Sequence, residues 1–177
     1  FVLLLVFSLS KNLRDLALNA AYKDAIANLY KRHNYYRALH KDTPALTSDA
    51  TVESVAQAYA EKIAAAGVFE HSHNSKYGEN LYLTMSTATP NFTGNDAADS
   101  WYDEISSYDY SNPGWGDGSA GHFTQLIWKG STKVGCGAAA GKYNSNGRNW
   151  NGVFVVCNYE PPGNYLSRFA ANVRPLK

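Results

Sequence analysis

Along the first well-patterned stretch, from Ala20 to Leu39, the positions Tyr22, Ile26, Leu29, Tyr30, His33 and Arg37 recur at helical spacing, which predicts an amphipathic helix. The run Lys41-Asp42-Thr43-Pro44 ends it, because proline cannot continue a helix. A second helix is predicted over Ala50 to Ala66, with Val52, Val55, Ala56, Tyr59 and Ile63 as its buried stripe. Asp49 offers a side-chain cap for its free N–H groups, and Gly67 a left-handed stop. Glu79 to Thr84 is short and apolar enough for a strand; Asp96 to Ser107 reads as a third helix with Ala97, Trp101, Ile105 and Tyr108 turned inward. A short helix is expected over His122 to Trp128. Thr132 to Ala139 and Gly152 to Tyr159 read as two strands joined by the polar run Lys142 to Asn151. Between these elements, Val68 to Ser75, Ala88 to Gly94 and Tyr110 to Gly121 read as loops, the last broken by Pro113, Gly114, Gly116, Gly118 and Gly121. The pattern is α/β, with about four helices around a small antiparallel sheet.

The first nineteen positions stand apart. Phe1 to Leu9 is apolar like the middle of a secretory leader and too short to span a bilayer. An amphipathic helix carrying Leu9, Leu13, Leu16 and Ala20 is the alternative. We therefore divide the chain into a leader or signal remnant over 1–19 and one domain over 20–177, since 177 residues suffice for a single core. Cys136 and Cys157 are an even count that suits an oxidising, extracellular compartment. If the last two strands pair about an Asn146-Gly147 turn, these cysteines fall directly opposite, with a Cα separation of ~4.5 Å that permits a disulfide. Sixteen Lys and Arg against fifteen Asp and Glu leave no charge footprint for nucleic acid. Partners are to be sought through shape and aromatic surface: thirteen Tyr, seven Phe and four Trp exceed what one core needs, although some act as filler.

Two stretches carry the most chemistry. Gly121-His122-Phe123-Thr124-Gln125-Leu126-Ile127-Trp128-Lys129-Gly130-Ser131 sets a histidine at a helix start, where free N–H groups and the positive helix end favour a neutral ring able to ligate a metal. Phe154-Val155-Val156-Cys157-Asn158-Tyr159-Glu160-Pro161-Pro162-Gly163-Asn164-Tyr165 lies about two dozen residues further on. Together they resemble the paired signatures of the CAP superfamily, which comprises cysteine-rich secretory proteins, antigen 5 and plant pathogenesis-related class-one proteins. The resemblance implies an α/β/α sandwich and a central cavity onto which four residues map: His71 before Ser72, Glu79 in Gly78-Glu79-Asn80-Leu81, Glu104 in Trp101-Tyr102-Asp103-Glu104, and His122. It further implies zinc or another divalent cation held by His71 and His122, with Glu79 and Glu104 hydrogen-bonding behind them. His73, two residues on, is an alternative to His71. His33 is read as a packing and hydrogen-bonding residue.

The same ingredients suit metal-assisted hydrolysis, but no nucleophile or oriented base is placed beside them by sequence, so the expectation is a non-enzyme, with a protease or esterase as the alternative. The binding alternative rests on Tyr108, Tyr110, Pro113, Gly114 and Trp115, whose aromatic spacing resembles the caveolin-binding-like loop of sterol-binding fungal members of the superfamily. Flat rings on a glycine-hinged loop can cover a sterol. The expectation is thus a secreted protein that binds sterol or fatty acid, is a monomer or weak dimer, has no transmembrane segment and serves lipid export, defence or host–pathogen interaction. Asn91 in Asn91-Phe92-Thr93 is a glycosylation candidate.

Overall fold

Our computed structural model describes residues 22–177; the leader expected over 1–19 lies outside them. Helix α1 (22–39) is followed by a two-residue strand β1 (Thr47–Ser48) and helix α2 (Ala50–Ala66). Asp49 caps α2 by accepting the N–H groups of Thr51 and Val52, and Gly67, at φ 66°, ends it with its own N–H on the Ile63 carbonyl. Strand β2 (Gly78–Ser86) leads to α3 (Asn95–Asp103), which tightens into a 3-10 turn over Glu104–Ser107. Helix α4 (Gly121–Leu126), strands β3 (Lys133–Ser145) and β4 (Arg148–Glu160), a 3-10 turn (Leu166–Arg168) and α5 (Phe169–Asn172) complete the described chain. Among these residues no helix is long and apolar enough to cross a membrane.

The sheet runs β1-β3-β4-β2. Its three long strands are antiparallel as expected, while β1 pairs with β3 in parallel and makes the sheet mixed. The β3–β4 hairpin is longer than its apolar pattern suggested, because Lys142 to Asn151 continues the ladder as an exposed ribbon. Asn146 (φ 53°) and Gly147 (φ 75°) form its two-residue turn, the positive pair that matches strand twist. That register sets Cys136 opposite Cys157, where they form a disulfide with Cα atoms 4.1 Å apart.

Alternation along the hairpin sends two sets of side chains to two layers. Val134, Cys136 and Ala138, with Val153, Val155, Cys157 and Tyr159, pack on α1, α3, α4 and Phe169 of α5. Phe154, Val156 and Leu81 face α2 through Ala56, Ala60, Ile63 and Ala64. Gly135, Gly137 and Gly141 also face α2, and a Cβ at any of them would strike backbone of Glu53, Gln57 or Ala64. The result is the expected α/β/α sandwich, with five helices rather than about four because α5 forms in the tail.

Two side-chain devices close the architecture. Arg37, fully buried, donates from Nε to the Pro44 carbonyl (2.7 Å), from Nη1 to those of Leu126 and Trp128 (2.9 Å each) and from Nη2 to that of Ser131 (3.1 Å). Burial lowers its pKa to about 10, still well above neutrality. Beyond β1, the outer edge of β3 meets side chains: Cys136 N–H donates to the Tyr30 hydroxyl (2.8 Å), and the Gln57 amide accepts from Ala138 N–H (3.0 Å) and donates to its carbonyl (3.1 Å).

Candidate functional site

The first turn of α4 presents His122, and the 3-10 turn after α3 brings Glu104 onto it. Glu104 Oε2 accepts the backbone N–H groups of His122 (2.9 Å) and Phe123 (3.1 Å), while Oε1 lies 2.6 Å from His122 Nδ1. The helix-start N–H groups expected to face the cleft are thus taken by a carboxylate. Against an ionised carboxylate, which only accepts, Nδ1 must carry the proton, so the neutral ring turns its Nε2 lone pair away from Glu104.

A second pair repeats the arrangement. Glu79, the second residue of β2, places Oε1 2.8 Å from His71 Nδ1 and accepts the Ser72 N–H at 2.8 Å. The two imidazole centroids are 6.5 Å apart and their planes 26° from parallel. Burial pushes the Glu79 pKa upward, but the His71 and Ser72 hydrogen bonds outweigh it and hold the carboxyl below its ordinary value. Its side chain is only 9% exposed, and Oε2 is buried with no hydrogen-bond partner among the described residues. His73, the alternative to His71, lines the same cleft at φ 56°; the carboxylate partner belongs to His71.

Behind the site runs a buried string of hydrogen bonds. Asn80 Nδ2 donates to the His122 carbonyl (3.0 Å) and to the Tyr159 hydroxyl (3.2 Å), which in turn lies 2.7 Å from His33 Nε2; His33 Nδ1 reaches the Leu29 carbonyl at 2.8 Å. Burial lowers the His33 pKa to about 4, so the ring is a neutral packing residue, as read from the sequence. Asn80 escaped that reading, although a polar residue inside an apolar strand was its signal.

The histidine pairs fit a divalent cation: two rings are oriented by carboxylates through Nδ1, and each leaves Nε2 free to ligate. A tighter group exists among the described residues, since ligand atoms of His33, Cys136 and Cys157 lie within 4.8 Å of one another. It offers no thiolate, because the two sulfurs are bonded to each other.

The cleft beside His71 has a volume of about 270 Å³ and is also lined by Tyr77, Glu79, Trp115, Gln125 and Asn164. Trp115 therefore belongs to the same hollow as His71 and Glu79, 41% exposed and with its ring 5.6 Å from that of Phe169. Pro113 and Gly114 lie just before it on the irregular loop. Tyr108 and Tyr110 behave differently. Both are partly buried, meet edge to face at 4.8 Å, and turn inward so that Tyr108 lies 5.8 Å from Phe123. A larger, mostly apolar hollow of about 370 Å³ lies at the sheet edge between Tyr22, Ile26, Tyr30, Gln57 and Ala138, and none of its lining residues belongs to the histidine site. Asn91 is exposed before α3, with the Thr93 hydroxyl held by Asp96 Oδ2 at 3.0 Å.

Comparison with known proteins agrees with this geometry. Residues 30–159 match the model of the cysteine-rich secretory protein family, CAP. Protein PRY2 of Saccharomyces cerevisiae is 46% identical over 153 residues, 86% of this chain and 42% of its own, so the chain spans less than half of that relative. The human Golgi-associated plant pathogenesis-related protein 1 is 36% identical over 89% of this chain and 97% of its own. The solved structure of BmVAL-1 superposes with a TM-score of 0.66 at 25% identity, covering 81% of this chain and 80% of that one.

Proposed function

Since the chain belongs to the cysteine-rich secretory protein (CAP) family, we propose that it is a secreted, non-enzymatic protein that binds sterols or related hydrophobic ligands, in lipid export, defence or host–pathogen interaction. The observation that carries this reading is Trp115: an indole is held out over a cleft by a loop whose Gly114, Gly116 and Gly118 would meet nothing within 4 Å even with a Cβ. Such a loop can move onto an apolar ring system. The disulfide supports secretion. Burying one face of Trp115 contributes about 1–3 kcal/mol, so Trp115→Ala weakens cholesterol binding by ~5- to 150-fold while circular dichroism is unchanged. Wild-type affinity in that variant overturns the reading.

Within this proposal His71 and His122 hold a divalent ion such as zinc, with Glu79 and Glu104 fixing their rings, and the ion orders the loops around the cleft; bound there, it would supply Lewis acidity. His71→Ala combined with His122→Ala removes the rise in melting temperature that zinc gives the parent. Undiminished zinc uptake by the double variant, read by calorimetry, moves the site elsewhere. The hydrolase alternative draws on the same carboxylates, yet Ser72, the hydroxyl beside His71, accepts the Asn74 N–H at 3.2 Å and, among the described residues, makes no direct hydrogen bond to either imidazole. Peptide or ester hydrolysis that is lost in Glu104→Gln would bring that alternative forward.

A further inference from the structure

Beside the tail of the chain a hollow of about 420 Å³ opens between Trp128, Gly130, Pro161, Pro162, Tyr165 and Arg168, a volume within the range of small-ligand sites. Its walls are fixed from behind. Asn172 ties two of them together, since its Oδ1 accepts the Gly130 N–H and its Nδ2 donates to the Arg168 carbonyl, each at 2.9 Å; the Pro161 carbonyl accepts the Ser131 hydroxyl at 2.8 Å. These groups are engaged, and two donors of the lining are not. The Trp128 indole N–H makes no hydrogen bond among the described residues, although the residue is only 2% exposed; a buried donor without an acceptor calls for an explanation. Its nitrogen faces the Gly130 wall, where a Cβ would lie 3.4 Å from it, so the missing side chain leaves the N–H uncovered. The second donor is the exposed Arg168 guanidinium, which lies 5.6 Å from the centre of the Tyr165 ring and has no carboxylate partner among the described residues. The local sequence supplies none: from Pro161 to Lys177 the chain carries Arg168, Arg174 and Lys177 but neither Asp nor Glu, and Glu160, just before this stretch, faces Lys133 at 3.7 Å.

We propose that this hollow binds a carboxylate carried on an aromatic body, supplied either by a small aromatic acid or by an acidic residue beside an aromatic one in a partner's peptide. The site is separate from the histidine cleft and uses none of the residues of the lipid-binding reading. Two donors without an acceptor call for a group that only accepts, and an ionised carboxylate takes a guanidinium and a further N–H on its two oxygens. One cation and one neutral indole balance a single negative charge, which fits a carboxylate better than a phosphate dianion. Tyr165, 49% exposed, and the two prolines give apolar walls for the ligand's body. A neutral amide of the same shape fills the same space but brings no charge to Arg168, so the hollow discriminates by chemistry rather than by fit.

The test titrates nitrogen-15-labelled protein with phenylacetate and its neutral counterpart phenylacetamide, and with the blocked dipeptides acetyl-Asp-Phe-amide and acetyl-Asn-Phe-amide, following the indole N–H signals by nuclear magnetic resonance. The Trp128 signal is identified by its loss in Trp128→Phe. At least one of the two acids should shift that signal and bind about tenfold or more tightly than its own amide. Arg168→Gln should abolish the preference for acid over amide, and Arg168→Lys, which keeps the charge without the planar fork, should retain part of it. Because Arg168 is exposed, this comparison of affinities stands even if Trp128→Phe does not fold. Whichever acid binds more tightly names the source, a small molecule for phenylacetate and a partner peptide for the dipeptide. An indole signal that neither acid moves, amides that bind as well as the acids, or an Arg168→Gln variant that keeps the preference each overturns the proposal and leaves the lipid-binding reading untouched.

Discussion

On the α2 face of the sheet, helix backbone rests on strand backbone across Gly135, Gly137 and Gly141, whereas the opposite face meets a thick layer of rings and buried polar groups, including Trp101, Tyr159, Phe123, His33 and Arg37. The first arrangement leaves little room between its layers. The second depends on large side chains that must be spaced and hydrogen-bonded, and its rim is where His122, Glu104 and the Trp115 loop lie. Close backbone contact gives rigidity with little chemistry; a wide, polar-laced layer gives positions at which chemistry can be mounted. The histidine site draws on both, since Glu79 belongs to a strand of the sheet and Glu104 to the turn that ends α3.

The contrast is broken most severely from the wide side. Arg37→Met deprives the carbonyls of Pro44, Leu126, Trp128 and Ser131 of their donor, and should lower stability by about 4 kcal/mol or more in chemical denaturation. A loss below about 1 kcal/mol would show that these carbonyls find other partners. On the tight side, Gly137→Val drives side-chain atoms into Gln57 of α2 and should cost about 3 kcal/mol, with the loss recovered by no change of pH. The smallest effect belongs to the polar layer and does depend on pH. The folded-state pKa of His33 is about 4 against an ordinary 6.5, so between these values the unfolded chain binds a proton that the folded one refuses. Stability is full above about pH 6.5 and falls by as much as 2–3 kcal/mol as pH drops toward 4, with His40, also lowered by burial, adding in the same direction. Nuclear magnetic resonance should find the His33 ring unprotonated at pH 5.5; a titration near 6.5 would contradict its burial.

These two faces were unequally legible in the sequence. Asp49 and Gly67 bracketed α2 because caps are local chemistry, and Asn146-Gly147 fixed the hairpin register, and with it the disulfide, because only certain residues accept two successive positive φ angles. The pairing of β1 with β3 was invisible, since two residues carry no period and are held by a strand 86 positions away. Arg37 read as one more position on a helix stripe, and nothing local announces that it gathers carbonyls from Pro44 and from the distant stretch 126–131. The site residues His71, Glu79, Glu104 and His122 came from the family resemblance. Their pairing, carboxylate to Nδ1 in both cases, depends on which way the loop at 71–73 and the turn at 104–107 point. Tyr108, Tyr110 and Trp115 looked like one motif; inward packing, Tyr108 on Phe123 and Tyr110 on Tyr108, separates the first two from the third.

The side chains along the outer edge of β3 govern how the molecule treats its own copies. An open strand edge is a template on which another chain can grow a ladder, the first step toward fibrils. Here Gln57 satisfies both backbone groups of Ala138, and Tyr30 takes the N–H of Cys136, so an incoming strand finds these contacts already made. The protection is carried by two residues from two helices. Any event that draws α1 or α2 away from the sheet unmasks it, which makes colloidal behaviour, more than melting temperature, the property most sensitive to how well these helices stay docked.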